Sequence, residues 1–267
     1  MSANEIPWAA EPPAEVPLEH APLVRVIAQV RFPVIASVGK QDFIAPFQEM
    51  IRREYPVLRP EQSRGVVIGP QGVVDTRTSS VWRFQDSTGG WRVSLAPDFL
   101  ALETTKYTSR DDFLGRFERV LVALRECIDP QVIDRLGVRY IDRVSGEENM
   151  RDLPALIRPE VAGVMATPLA LHTLQALSEN MFSLPGGAGQ LIARWGLVPA
   201  HSTVDPAAVD PIEEPSWLLD ADAFLGDTRP LYIADVMAQA RNLAVNVYGF
   251  FRWVVTDEFL KRYGEAR

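Results

Sequence analysis

The feature that most constrains this chain is a recurrence of element order, in which each half reads as an alternating strand, further strands and one long closing helix. Leu23 to Phe32 sets Val24, Val26, Ala28, Val30 and Phe32 on one face and Arg25, Ile27, Gln29 and Arg31 on the other. Leu136 to Arg143 repeats the alternation, with Leu136, Val138 and Tyr140 opposite Arg139, Ile141 and Arg143. A period of two marks half-buried strands. Each half then closes with a strand carrying an acid, a turn and an amphipathic helix: Asp98 to Leu102 leads to 109–128, and Asp222 to Leu225 leads to 231–253.

Element by element, the first half predicts a strand at 23–32, a helix at 41–55, strands near 65–75, 79–86, 91–96 and 100–107, and a helix at 109–128. Ser109 suits the N-cap of that last helix, with Asp112 three residues on. Phe113, Phe117, Val120, Leu121, Leu124 and Ile128 form its apolar stripe. Thr88-Gly89-Gly90 supplies a hairpin turn. The second half predicts strands near 136–144, 170–182, 190–199 and 216–224 and a short helix around 152–163. Its closing helix runs from 231 to 262 or breaks near Val255, where Thr256 can cap a new turn. The expected fold is α+β, with two similar β-α-β4-α-like halves, a largely antiparallel sheet and the long helices packed on one face. Its domains are an extended N-terminal arm (1–20), rich in proline, a first half (21–130) and a second half (131–267). That element order resembles the saddle of the TATA-binding protein.

At 267 residues and 47% hydrophobic content, the chain can bury a substantial core. Residues 201–215, with Pro206, Pro211, Pro215, Glu213 and Glu214, predict a long exposed loop. No run is long and apolar enough to span a membrane and the start lacks a signal-peptide pattern, so the expected location is cytoplasmic. A formal net charge of −8 argues against non-specific nucleic-acid binding. The charge is uneven: residues 171–230 hold eight acids but only Arg194 and Arg229 as cations.

Motifs that carry chemistry are few. His20, His172 and His201 lack metal-ligand spacing, and no metal or cofactor is implied. Gly186-Gly187-Ala188-Gly189 has no following lysine or helix and predicts a hairpin loop, not a phosphate cradle. Cys127 lies beside an apolar stripe with no histidine near it, which suits a structural thiol. Asp98 and Glu103 flank one strand as a conceivable carboxylate pair, though acids at strand ends are ordinarily solvated. Trp82, Phe84 and Trp91 form either a stacking platform or sheet-to-helix core, and core needs fewer assumptions. Arg31, Arg139, Tyr140 and Arg143 are the candidate binding residues. Their bland reading pairs the arginines with Asp134, Asp142 or Glu103; their sharp reading is an anion-binding or acidic-partner face.

Three segments, Ala21 to Pro33 (APLVRVIAQVRFP), Arg135 to Arg143 (RLGVRYIDR) and Phe251 to Leu260 (FRWVVTDEFL), resemble the signature segments of a sporadically distributed bacterial family of about this length. The resemblance spans the whole chain. It carries no established activity, and its patchy distribution implies an accessory role, such as defence or toxin control. The family often has an acid where this chain has Arg25. The expected function is therefore a non-catalytic protein-interaction or regulatory module. A protein partner is expected, a small ligand is allowed, and the oligomeric state is left open. The alternative is a small-molecule binder or enzyme with a site between the halves.

Overall fold

The computed structural model describes residues 7–8, 13–16, 18–69 and 72–264, with side chains described outside 62–79. The elements are, in order, β1 (Leu23–Arg31), α1 (Gln41–Ile51), β2 (Val57–Gly69), β3 (Gly72–Gln85), β4 (Trp91–Ala96), β5 (Phe99–Thr104), α2 (Arg110–Cys127), β6 (Val132–Ile133) and β7 (Arg135–Val144). Short helices α3 (Glu147–Arg151), α4 (Leu153–Leu156) and α5 (Pro159–Ala162) follow. Then come β8 (Ala176–Ser183), β9 (Gln190–Val198), β10 (Ser216–Leu225), β11 (Arg229–Pro230), α6 (Ile233–Val254) and α7 (Asp257–Arg262). The fold is α+β, and its hairpin pairings are antiparallel. Most of the expected arm at 1–20 lies outside the described residues.

Two compact units share the chain. The first comprises Ile27–Gly137 and Leu225–Arg241; the second comprises Met1–Val26, Val138–Phe224 and Asn242–Arg267. In the first, strand order is β2-β3-β4-β5-β1. Its core is built as the period-3.6 stripe of α2 requires: Phe113, Phe117, Val120, Leu121, Leu124 and Ile128 are all buried. The helix starts at Ser109, whose side chain accepts from the Asp112 backbone N–H at 3.1 Å. Phe84 and Trp91 belong to this core, packed against Phe47 and Phe113 with ring centroids 5.6 and 6.0 Å apart. Trp82 is buried too and donates to the Val38 carbonyl at 2.7 Å. The aromatic trio is therefore structural.

In the second unit, strand order is β7-β10-β9-β8, so β8 is the terminal strand among the described residues. One face of this sheet meets an aromatic cluster, where Phe182 of β8 lies 5.9 Å from Trp8 and 5.7 Å from Phe250 of α6. The glycine-rich run makes the β8–β9 hairpin: Gly186, Gly187 and Gly189 all have positive φ, and the Leu184 N–H donates to the Gly189 carbonyl at 2.9 Å. Thr256 caps α7 by accepting from the Phe259 N–H at 3.3 Å, which fixes the break after Val254.

Several boundaries differ from expectation. Strand β2 begins at Val57, eight residues before the expected 65, because Arg59, Pro60 and Glu61 hide the alternation. The single strand expected at 65–75 is instead two, with β2 ending at Gly69 and β3 starting at Gly72 and pairing antiparallel to it. Helix α1 ends at Ile51. Two short helices, α4 and α5, replace the single one expected at 152–163, where Pro154 and Pro159 restart the turns, and α3 precedes them. Residues 168–172 form a 3-10 turn, so β8 starts at Ala176 and not 170. The loop at 201–215 is not fully exposed: Ala208 and Val209 are buried.

Candidate functional site

Alternation along β7 puts Arg139 and Arg143 on one face and Tyr140 on the other, as the sequence predicts. Their partners are not the predicted ones. Arg139 makes a bidentate contact with Asp220 of β10 (Nε to Oδ1 2.7 Å, Nη2 to Oδ2 2.7 Å) and a further bond from Nη1 to Asp205 Oδ2 at 2.9 Å. The Asp220 side chain is 1% exposed and that of Arg139 is 15% exposed. Two carboxylates hold the Arg139 guanidinium charged and raise its pKa, although burial opposes this. Conversely, burial would raise the Asp205 carboxyl, but the bond and charge of Arg139 outweigh it and hold the carboxyl below its ordinary range.

The charges continue across the sheet. Arg194 of β9 is the Cα partner of Asp220 and reaches its Oδ2 at 3.4 Å; Glu179 of β8 is the Cα partner of Arg194 and accepts from its Nε. A ladder of alternating sign thus runs Asp205–Arg139–Asp220–Arg194–Glu179 and ends on the terminal strand. Cross-strand neighbours on one face of a sheet lie close enough for each opposite pair to be favourable. Arg143 donates to the Asp210 carbonyl at 2.6 Å, and Arg25 stands 4.0 Å from the Asp210 carboxylate. Asp205 and Asp210 of the loop at 199–215 therefore meet Arg139, Arg143 and Arg25.

Arg31, in the first unit, pairs with Asp98 at 2.9 Å. Both line a shallow groove of about 470 Å³ with Asp134 and Arg135. Asp98 and Glu103 form no carboxylate pair, because Glu103 is engaged by Arg92 at 2.6 Å. Cys127 sits with its Sγ 3.3 Å from the Met50 sulfur, and burial followed by the charge of Glu126 raises its pKa. That disfavours the thiolate a nucleophile needs. Among the described residues, no group of three or more His, Cys, Asp or Glu could hold a metal ion, and no helix is long and apolar enough to cross a membrane.

Sequence reasoning missed the most exposed apolar stretch among the described residues. Leu169, Leu171, Leu174, Leu177 and Met181 are exposed by 63, 88, 84, 45 and 62%. All five lie in the turn before β8 or on β8 itself. A run of isolated leucines with neither helical nor strict alternate spacing from 169 to 174 is the available signal, which the expectation of one strand over 170–182 passes over.

No protein-family model matches the chain, and no curated protein matches it either.

Proposed function

We propose that this chain is a non-catalytic protein-binding module whose contact surface is the leucine-rich approach to β8 together with that strand. The observation that carries the reading is the cluster of five exposed large apolar side chains between Leu169 and Met181. Large apolar residues scattered singly are ordinary on a surface; five of them exposed between Leu169 and Met181, beside a strand that is terminal among the described residues, point to an interaction site. The resemblance of the three signature segments to a sporadic bacterial family supports an accessory role for that binding, in defence or toxin control. The two strand-to-helix series, β1 to α2 and β7 to α6, support a reading as two similar halves with saddle-like element order.

The test is a photo-crosslinking residue at Leu174 in cells producing the chain, with adducts identified by mass spectrometry. One defined protein adduct is expected, and it should vanish in Leu171→Lys, which leaves melting unchanged because the side chain is exposed. Absence of a specific adduct, or one indifferent to Leu171→Lys, overturns the reading.

A second reading, small-ligand binding, is favoured by the groove at Arg31, whose paired charges of both signs suit a zwitterion such as an amino acid. A thermal-shift series with free amino acids tests it, and Arg31→Gln should abolish any shift.

A further inference from the structure

Resting on the protein-binding reading, we propose a mode and a partner chemistry: β8 receives an extended segment as an added strand, and that segment carries the pattern apolar-x-Lys/Arg-x-apolar. Three observations converge on this. First, β8 is eight residues long, terminal among the described residues, and contains no proline or lysine. Proteins that keep such an edge from pairing place lysine, proline or a bulge on it. Second, Leu177, Glu179 and Met181 alternate onto one face of β8, while Phe182 on the other joins the aromatic cluster. An added strand would therefore meet apolar, acidic and apolar side chains in turn.

Third, the charge ladder specifies the sign of the central contact. It alternates across four strands and ends at Glu179, whose side chain is 64% exposed. A cation on the next strand continues the alternation, whereas an acid there would face Glu179 directly. The same geometry disfavours a second copy of this chain as the occupant. Antiparallel self-pairing that places Leu177 opposite Met181 necessarily places Glu179 opposite Glu179. The surroundings agree, since Glu213 and Asp210 of the loop before β10 have side chains 93 and 88% exposed.

The experiment uses the full chain and three labelled eleven-residue peptides: one with Val, Lys and Val at alternate central positions separated by threonine, one with the lysine replaced by glutamate, and one with the lysine sequence N-methylated on its backbone. Anisotropy reads affinity and hydrogen exchange reads protection of Ala176–Ser183. The lysine peptide should bind and protect β8. The glutamate peptide should bind at least about threefold more weakly, a difference expected of reversing one cross-strand charge pair. N-methylation should abolish both effects, and Glu179→Lys in the protein should reverse the preference between the two peptides. Binding without protection of β8, or equal affinity for both charges, overturns strand addition. So does full protection of β8 in the isolated monomer, or protection that appears only as the chain dimerises. If strand addition fails while Leu171→Lys still releases the crosslinked partner, the protein-binding reading stands; if that adduct also persists, both fall.

Discussion

Replacing Asp142 by asparagine should stabilise the protein at pH 8 and do little at pH 4. Asp142 lies on β7 with 8% of its surface exposed, and no hydrogen bond or ion pair reaches its carboxylate among the described residues. Its alternation partners Val138 and Val144 are fully buried. Arg262 of α7 is turned to Asp152 at 2.9 Å and Asn149 at 3.4 Å, and no cation among the described residues offsets the burial of Asp142. Tyr263 adds no charge; burial raises its own pKa, and Asp142 raises it further. Desolvation alone pushes the Asp142 carboxyl from 3.8 to about 7. A carboxyl raised on folding leaves stability intact below its unfolded pKa. That stability is then lost as pH rises from about 3.8 to about 7, and no more is lost above. At about 1.4 kcal/mol per pH unit, the ionised side chain costs the fold on the order of 4 kcal/mol at pH 8. Asparagine has nearly the same shape and cannot ionise. Urea unfolding followed by tryptophan fluorescence at pH 4, 6 and 8 gives the difference between variant and wild type, in which every other titration cancels. That difference should grow in favour of Asp142→Asn through this window and flatten above it. A difference that is constant with pH, or that favours the wild type at pH 8, refutes the reasoning.

Arg139→Gln should destabilise by about 3–5 kcal/mol, because Asp220 is left buried with only Arg194 at 3.4 Å, whereas Arg143→Gln should cost under about 1 kcal/mol, since Arg143 bonds an exposed loop carbonyl. Equal melting temperatures for the two variants would contradict that ranking. Gly196→Ala should detach β8 from β9, since Gly196 has φ +142° and an added Cβ would stand 1.8 Å from the Ala176 carbonyl oxygen; rapid hydrogen exchange across Ala176–Ser183 reads this, and unchanged exchange would refute it. Thr256→Ala should cost about 1 kcal/mol, since the hydroxyl both caps α7 and donates to the Ala155 carbonyl at 2.7 Å; a melt indistinguishable from wild type would assign the cap no role.

Elements whose local chemistry agrees with their tertiary role were legible in the sequence. Helix α2 announces itself by Ser109, Asp112 and an uninterrupted apolar stripe, and the Thr256 cap marks where α6 stops. Strand β1 alternates cleanly because one face of it is buried, whereas β7 buries Ile141 on its arginine face as well. What escaped was set by contacts distant in sequence. Nothing near Arg139 points to Asp220, 81 positions away. The buried Ala208 and Val209 in a proline- and acid-rich loop follow from the arginines beneath that loop, not from its composition. The strand at Val57 is masked by Pro60, whose acceptability depends on its place in the strand order. The apolar approach to β8 was misassigned for a related reason: leucines look alike in sequence whether they meet a core or face solvent.

The arginines of β7 and the edge at β8 belong to one electrostatic structure. Arg139 is poorly suited to bind an external anion, since two carboxylates already saturate most of its donors and leave 15% of its side chain exposed. Its charge compensates the buried Asp220 side chain, which it bonds through two nitrogens in a site where an unpaired charge would be costly. Asp220 in turn binds Arg194, and Arg194 binds Glu179 on β8, the terminal strand among the described residues. Each ion is fixed by the next, so the exposed acid at the end of the row is oriented by a contact three strands away. An exposed glutamate alone would sample many rotamers and contribute little to recognition. Anchored through the ladder, with Leu177 and Met181 two residues to either side, it presents a defined pattern to an incoming strand.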